Sequence, residues 1–284
     1  MTRRTGLLGL AGGFLAACTP ARFLDTVIPD DPARVLTRDV AFGEGLKLDL
    51  YGPQSAAAGA PVALFVYGGG WSSGSRTEYR WAGKMLAAQG FITVVADYRL
   101  APQARFPAFI EDLAQAVRWA VDHTPEHGGD PSRIVLVGHS AGAYNAAMVA
   151  LDPRYLKAVG VERTRIKAFA GLAGPYYFPN LDGPVLSRAF AGAEDDRIYQ
   201  TLDYAGPGSP AAFLVAGSAD ATVRPRNTER LAEALTREGV EVEKHIYPGQ
   251  THLDVLLNLS RPFRGRSPEH GQLVAFLRRQ AGLA

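Results

Sequence analysis

The stretch Ile134-Val135-Leu136-Val137-Gly138-His139-Ser140-Ala141-Gly142 decides how this chain folds. Four consecutive apolar residues at 134–137, most of them β-branched, predict a buried strand. The run 143–151 contains good helix formers and neither Gly nor Pro, which predicts a helix. Between them, the sequence fits Gly-x-Ser-x-Gly, a pattern typical of a sharp strand-to-helix turn that lifts the serine hydroxyl above a sheet edge. Ser140 is therefore the candidate nucleophile.

Composition and charge are those of a globular protein with a sizeable core. The 284 residues are 47% hydrophobic and 20% charged, and one α/β domain often has this length. The net charge is +2 and no run of Lys and Arg follows a predicted helix face, so nucleic-acid binding has little support. The few His and Cys residues are not spaced as metal ligands. We therefore expect no metal and no cofactor.

The N-terminus departs from this globular pattern. A short basic start, Met1-Thr2-Arg3-Arg4, precedes an apolar stretch at 6–17 that is too short for a membrane span but typical of a secretory signal. Leu15-Ala16-Ala17-Cys18 resembles the lipobox of bacterial lipoproteins, and Cys18 is the only cysteine. The resemblance implies a signal peptide at 1–17, a lipid on Cys18 and anchoring to the bacterial cell envelope, on the periplasmic side or outer surface. A plain signal peptide cut elsewhere and a fortuitous apolar start are the alternatives.

The rest of the chain is organised as one domain. Residues 18–34 contain three prolines and predict a tether, and 35–284 a single domain. Alternating residues on both sides of Gly43-Glu44-Gly45 predict an antiparallel hairpin. Further strands are predicted at 62–67, 92–96, 168–174, 211–217 and 240–247, and helices at 79–89, 109–123, 228–237 and 272–280. Strands that alternate with helices imply a mostly parallel sheet with helices on both faces. The irregular segment 175–210 predicts a short cap.

The candidate base is found by its place relative to a strand. A serine hydroxyl needs a neighbouring base, an orienting carboxylate and donors for an oxyanion, and in open α/β sheets such groups collect at the carboxyl ends of strands. His252 lies one short loop after the predicted strand 240–247, and this position favours it as the base. The turn is expected to point His139 away from Ser140. The remaining histidines lie at helix ends, in a loop or inside a strand: His123, His127, His245 and His270.

Asp220 is the candidate acid because it lies just beyond the apolar strand 213–217. Asp254 is close in sequence to His252, and the pair Asp195 and Asp196 falls in the predicted cap. The chain order nucleophile, acid, base is that of α/β-hydrolases. Asp220 is therefore preferred over the other three.

The candidate oxyanion donors lie in the glycine loop, Gly68-Gly69-Gly70-Trp71, which directly follows the strand 62–67. Glycines expose backbone N–H groups without side-chain obstruction. We expect Gly69 and Gly70 to donate, together with Ala141 at the start of the predicted helix, where the helix dipole also favours negative charge.

Three stretches taken together resemble the α/β-hydrolase superfamily, and within it the hormone-sensitive-lipase-like and feruloyl-esterase-type acyl esterases. They are Tyr67-Gly68-Gly69-Gly70-Trp71; Asp97-Tyr98-Arg99-Leu100-Ala101-Pro102 with Phe106-Pro107 and Glu111-Asp112 after it; and Gly138-His139-Ser140-Ala141-Gly142. The resemblance implies an α/β-hydrolase fold and a serine carboxylesterase that cleaves a small-molecule ester through an acyl-enzyme. Asp97, Arg99, Glu111 and Asp112 are expected to be structural.

Two positions depart from the family pattern. Tyr67 replaces the histidine that commonly opens the glycine motif, and His139 replaces an aspartate frequent in lipase-like members. Trp71, Tyr144 and Tyr176 fit a pocket wall or core packing equally well. Amide hydrolysis, as in arylformamidases, and a catalytically silent binding lipoprotein remain alternative functions. The sequence carries no expectation about the oligomeric state.

Overall fold

The computed structural model describes residues 28–55, 58–193 and 195–283. The predicted signal peptide 1–17 and Cys18 lie outside the described residues. Residues 28–34, the last part of the predicted tether, lie against the domain: Ile28 is buried, Asp30 pairs with Lys84 at 2.6 Å and Asp31 with Arg264 at 2.5 Å.

The described residues form an eight-stranded sheet in the order β1-β2-β4-β3-β5-β6-β7-β8. The first two strands form the predicted hairpin, β2 also runs antiparallel to β4, and all other neighbours are parallel. The strands are β1 (Ala33–Gly43), β2 (Leu46–Pro53), β3 (Ala60–Val66), β4 (Ile92–Ala96), β5 (Gly129–His139), β6 (Ile166–Leu172), β7 (Ala211–Gly217) and β8 (Val242–Tyr247).

The centre of the sheet is buried on both faces, as its apolar runs predict. Every residue of β3 is buried, and Leu64 pairs with Val94 on one side and Leu136 on the other. β5 begins at Gly129, five residues before the predicted strand, because Gly129 and Asp130 continue the pairing with the start of β3. That extension is polar and part-exposed, so an apolar pattern misses it.

Helices cover both faces of the sheet. They are α1 (Arg80–Ala88), α2 (Ala108–His123), α3 (Ala141–Leu151), α4 (Pro153–Ala158), α5 (Pro184–Ala189), α6 (Arg226–Arg237), α7 (Asp254–Leu257) and α8 (Glu269–Gln280). The connection β3–α1–β4 and the connection β4–α2–β5 run in opposite directions across the sheet, so right-handed crossovers place α1 and α2 on opposite faces. α3 packs beside α2, whereas Arg278 of α8 donates to the carbonyl of Gln89 at the end of α1.

The short helix α4 was not predicted from the sequence. Its signals are Asp152, whose carboxylate accepts the N–H of Arg154 at 3.0 Å, and Pro153 at the first helical position. A helix of one and a half turns is too short for a recognisable apolar period. The predicted short cap is present as α5 and two 3₁₀ helices, Asp196–Tyr199 and Thr201–Tyr204.

Candidate active site

Ser140 lies at a strained turn between β5 and α3, with φ 54° and ψ −123°. Positive φ is costly for a residue with a side chain, about 1–3 kcal/mol, so the surrounding structure must impose it. Both flanking positions require glycine. A Cβ on Gly138 would lie 2.3 Å from the carbonyl oxygen of Gly142, and one on Gly142 would lie 2.1 Å from that of Val66. The turn therefore packs directly on the end of β3.

The structure brings Ser140, His252 and Asp220 into one hydrogen-bonded row. His252 Nε2 lies 2.9 Å from Ser140 Oγ, and His252 Nδ1 lies 2.7 Å from Asp220 Oδ2. The row joins the carboxyl ends of β5, β7 and β8. A carboxylate only accepts, so Nδ1 carries the proton and Nε2 is left to accept the serine hydroxyl.

Asp220 is held in place by hydrogen bonds to both of its carboxylate oxygens. Its side chain has no exposed surface, and its Oδ1 accepts the N–H groups of Thr222 at 2.9 Å and Val223 at 2.8 Å. The other oxygen faces His252. These bonds satisfy a carboxylate that would otherwise be costly to bury, and they set the direction of the His252 ring.

The loops that carry Asp220 and His252 are joined to each other through the backbone. Ala219 N–H donates to the carbonyl of Gln250 at 2.9 Å, and Ser218 N–H donates to that of Tyr247 at 2.9 Å. A Cβ on Gly217 would lie 2.1 Å from the carbonyl oxygen of Gln250. Close backbone contact keeps the two loops in a single arrangement.

Two of the three rival acids, Asp254 and Asp195, bind other partners. Asp254 Oδ2 accepts the N–H of Thr251 at 2.8 Å and its hydroxyl at 2.6 Å, and these bonds lower the pKa of Asp254. Asp195 binds Arg197 at 2.8 Å. The side chain of Asp196 lies outside the described residues. Among the histidines, His123 Nδ1 faces the carbonyl of Trp119 at 2.9 Å, and His245 packs on Phe213.

The glycine loop runs directly over the nucleophile. A Cβ on Gly68 would lie 3.0 Å from Ser140 Cβ, while Gly69 and Gly70 have φ of +127° and +58°. The N–H groups of Ser72 and Ser73 both donate to the Gly69 carbonyl at 3.1 Å, whereas those of Gly69 and Gly70 bind no backbone acceptor in the described ranges. Ala141 is the first residue of α3, where an N–H has no partner within the helix. These three amides are available to a ligand oxygen.

Tyr67 anchors the start of the glycine loop in place of the family's histidine. Its buried ring stacks on Tyr98 with 4.5 Å between centroids. Tyr98 N–H donates to the Tyr67 hydroxyl oxygen at 3.2 Å, and the Tyr98 hydroxyl donates to the Tyr67 carbonyl at 3.0 Å. Burial raises the pKa of Tyr67 far above its ordinary value, so the phenol stays neutral.

Arg76 is a supporting residue that the sequence analysis missed. Its guanidinium forms ion pairs with Asp39, Asp49 and Asp97, and its backbone N–H also donates to Asp97 Oδ1 at 2.9 Å. Its partners are 21 to 37 positions away, so no local pattern marks the group. Asp97 therefore has a structural role, as the sequence analysis expects. Arg99 likewise pairs with the buried Asp112 at 2.7 Å.

His139 faces the loop of His252 rather than the hydroxyl of Ser140. Its Nε2 lies 3.1 Å from the carbonyl oxygen of His252, and the two rings are 4.9 Å apart. The turn does keep this side chain from hydrogen bonding with Ser140, but it remains inside the site. Burial, and then the neighbouring His252, lower the pKa of His139 to about 3.

Three aromatic residues for which the sequence fits either a pocket wall or core packing belong to the core. Trp71, Tyr144 and Tyr176 are at most 2% exposed. Trp71 Nε1 donates to Asn145 Oδ1 at 2.9 Å, and its ring contacts Phe109, Tyr144, Phe178 and Phe190. Trp71 and Tyr144 thus pack against each other in the core, and Tyr176 is buried close to Gly171 and Gly174.

Two features are absent from the described residues. No three His, Cys, Asp or Glu side chains there are grouped as they would be around a metal ion. None of their helices combines the length and apolar character that crossing a membrane requires.

The family is shown by a match over most of the domain. Residues 48–235 match the BD-FAE family model, and residues 188–284 match the prolyl oligopeptidase family. The first match covers more than half of the chain. This chain belongs to the BD-FAE family.

Individual relatives carry esterase names. A carboxylesterase of Mycobacterium tuberculosis, NlhH, is 31% identical over 222 residues, covering 72% of this chain and 69% of that protein. A probable isoprenylcysteine alpha-carbonyl methylesterase of Oryza sativa subsp. japonica is 30% identical over 252 residues, covering 80% of this chain and 59% of that protein. The chain thus spans less than two thirds of the plant protein.

Solved structures show the same fold. The carboxylesterase EstE1, cloned from a metagenomic library, has a TM-score of 0.76 at 24% identity and covers 92% of this chain and 94% of its own. Thermogutta terrifontis esterase 2 has a TM-score of 0.69 at 24% identity, covering 90% and 97%. The predicted α/β-hydrolase fold is confirmed.

Proposed function

We propose that this protein hydrolyses carboxylic esters through an acyl-enzyme, with Ser140 as nucleophile, His252 as general base and Asp220 as the carboxylate that orients the base. The observation that carries the proposal is the hydrogen-bonded row from Ser140 through His252 to Asp220, with the glycine loop directly over the serine. The esterase names of the relatives support it.

In the first half-reaction Ser140 Oγ forms a bond to the ester carbonyl carbon while its proton passes to His252 Nε2. The carbonyl electron pair moves to the oxygen, and the amides of Gly69, Gly70 and Ala141 donate to the resulting oxyanion. As the carbonyl re-forms, the bond to the alcohol oxygen breaks and that oxygen takes the proton from His252. The alcohol leaves and the acyl group remains on Ser140.

In the second half-reaction a water molecule takes the place of the alcohol. His252 Nε2 accepts a proton from the water as its oxygen bonds to the acyl carbon, and a second oxyanion forms at the same amides. The bond to Ser140 Oγ then breaks, the serine recovers the proton from His252, and the carboxylic acid leaves. The Asp220 carboxylate accepts from His252 Nδ1 and stabilises the imidazolium in both steps.

Activity on a p-nitrophenyl ester, together with labelling by a fluorophosphonate, tests this proposal. We expect turnover and one label at Ser140, and Ser140→Ala should lose both. An aryl formamide assayed beside p-nitrophenyl and methyl esters compares amide with ester cleavage; methyl esters are included because plant relatives are named methylesterases. Faster turnover of the formamide would contradict ester hydrolysis as the main activity. If the folded protein shows no turnover and no labelling, the proposal that it is a catalyst is contradicted.

We also propose that Cys18 carries a lipid that holds the folded domain at the bacterial cell envelope. The support is the lipobox-like Leu15-Ala16-Ala17-Cys18. Ten positions separate Cys18 from the buried Ile28, a span of at most roughly 36 Å. Metabolic labelling with an alkyne fatty acid in a bacterial host tests it: we expect label in the membrane fraction and none with Cys18→Ser. Unlabelled wild-type protein would contradict the proposal.

A further inference from the structure

One buried titratable side chain in the site has no part in the reaction steps. His139 is 4% exposed and lies between two elements that the reaction depends on. On one side, its Nε2 is 3.1 Å from the carbonyl oxygen of His252. On the other side, a Cβ placed on Gly68 would lie 3.0 Å from its Nδ1.

The partners decide the tautomer of His139. A carbonyl oxygen can only accept, so the hydrogen of the neutral ring is on Nε2 and points to His252. Nδ1 is then a bare acceptor, and it has no hydrogen-bond partner in the described part of the chain. A second proton there would create a buried cation beside His252, which the surroundings oppose. The ring is thus held as a neutral donor.

We propose that His139 is a positioning residue that sets the place of the His252 imidazole over Ser140 by donating a hydrogen bond to the carbonyl of His252. This inference rests on the proposed esterase function. Neighbouring residues of the same loop have other anchors: the Gln250 carbonyl accepts Ala219 N–H, and Thr251 donates to Asp254. His139 supplies the anchor at residue 252 itself, through a strand residue adjacent to the nucleophile.

Two substitutions with side chains of equal length distinguish the effect of the hydrogen bond from the effect of the side-chain volume. In His139→Gln the side-chain amide nitrogen is as many bonds from Cβ as Nε2 of histidine, so it can donate to the same carbonyl. In His139→Met a methyl group occupies that place. With p-nitrophenyl acetate we expect His139→Met to lower kcat by about 10-fold with KM unchanged, and His139→Gln to stay within about threefold of wild type.

The pH profile distinguishes positioning from an effect of charge. We expect the acid limb of kcat/KM to keep its midpoint in His139→Met, because a neutral donor is lost and Asp220 still faces His252. A moved midpoint would overturn the inference. His245→Met is the control: this histidine lies on β8 against Phe213 and should leave kcat unchanged.

The other outcomes are equally decisive. A full kcat in His139→Met would overturn the inference, and so would an equal loss of kcat in His139→Gln and His139→Met. In both cases, turnover by the wild-type protein would still support the proposed function. An inactive wild type would instead overturn the proposed function. If His139→Met does not fold, His139→Asn replaces it, since its shorter amide cannot reach the carbonyl and should lower kcat to the same extent.

Discussion

The loops of Asp220 and His252 are joined to each other by backbone hydrogen bonds, whereas the segment around the glycine loop is held by side chains as well as by the backbone bond from Ala101 N–H to the Trp71 carbonyl at 2.7 Å. Ala219 and Ser218 donate directly to carbonyls of the His252 loop. Side chains hold the residues before and after the glycine loop: Tyr98 holds Tyr67, and three aspartates hold Arg76. The two halves of the site therefore differ in the kind of contact, mainly backbone in one and mainly side chain in the other, although both join residues 21 to 37 positions apart.

The largest expected effect is in the half held by backbone. Asp220→Asn keeps the shape but favours the wrong tautomer of His252, and we expect kcat to fall by about 10⁴-fold. Asp254→Asn is the matched control, since Asp254 binds Thr251 and should change kcat little. Steady-state kinetics on a p-nitrophenyl ester measure both. A small effect at Asp220 with a large one at Asp254 would reverse the assignment of the acid.

The ion pairs of Arg76, which follows the glycine loop, should contribute to the stability of the protein. Arg76→Met leaves the largely buried carboxylates of Asp49 and Asp97 without their cation, and we expect a loss of about 3–5 kcal/mol in the free energy of unfolding. Arg118→Met is the control, since Arg118 and its partner Asp122 are both exposed. Urea denaturation measures both. Equal, small losses in the two variants would show that the Arg76 ion pairs do not stabilise the fold.

This contrast also explains what could be predicted from the sequence. Ser140 and Asp220 follow buried strand ends and His252 follows the half-buried, alternating strand β8, so strand patterns and chain order were sufficient to select them. Arg76 has partners on β1, on β2 and after β4, and the contact of His139 with His252 spans 113 positions. Such contacts depend on how the loops pack. Local patterns also missed α4 and the polar start of β5, because neither has an apolar period.

A substitution in the glycine loop tests its catalytic part with a smaller effect. A Cβ on Gly69 would lie 2.1 Å from the carbonyl oxygen of Ser73, so Gly69→Ala must displace the loop. We expect kcat to fall by about 10²–10³-fold, as for loss of an oxyanion donor. Gly239→Ala is the control, with a similarly positive φ but open space around it. Equal kinetics in both variants would argue against oxyanion binding by this loop.

A buried acid at the start of α8 has the smallest effect, and it depends on pH. Burial raises the pKa of Glu269 from 4.5 to about 9, while a contact with Asn258 lowers it by less. Between these values the folded chain holds a proton that the unfolded chain releases, so stability falls as pH rises. We expect Glu269→Gln to remove this slope and to stabilise the protein by up to about 3 kcal/mol at pH 7. Urea denaturation of the wild type and of Glu269→Gln at pH 5 and pH 8 measures this difference. If the free energy of unfolding falls equally in both proteins between these pH values, the raised pKa of Glu269 is contradicted.

The most direct test of the central claim is the site and rate of phosphorylation by paraoxon, followed by peptide mass spectrometry. If Ser140 is activated by His252, wild-type protein should gain one diethylphosphoryl group on the peptide that contains Ser140. His252→Gln should slow this reaction by about 10³-fold or more, because the hydroxyl loses its base. An adduct on another residue, or a rate that does not change in His252→Gln, would contradict the account.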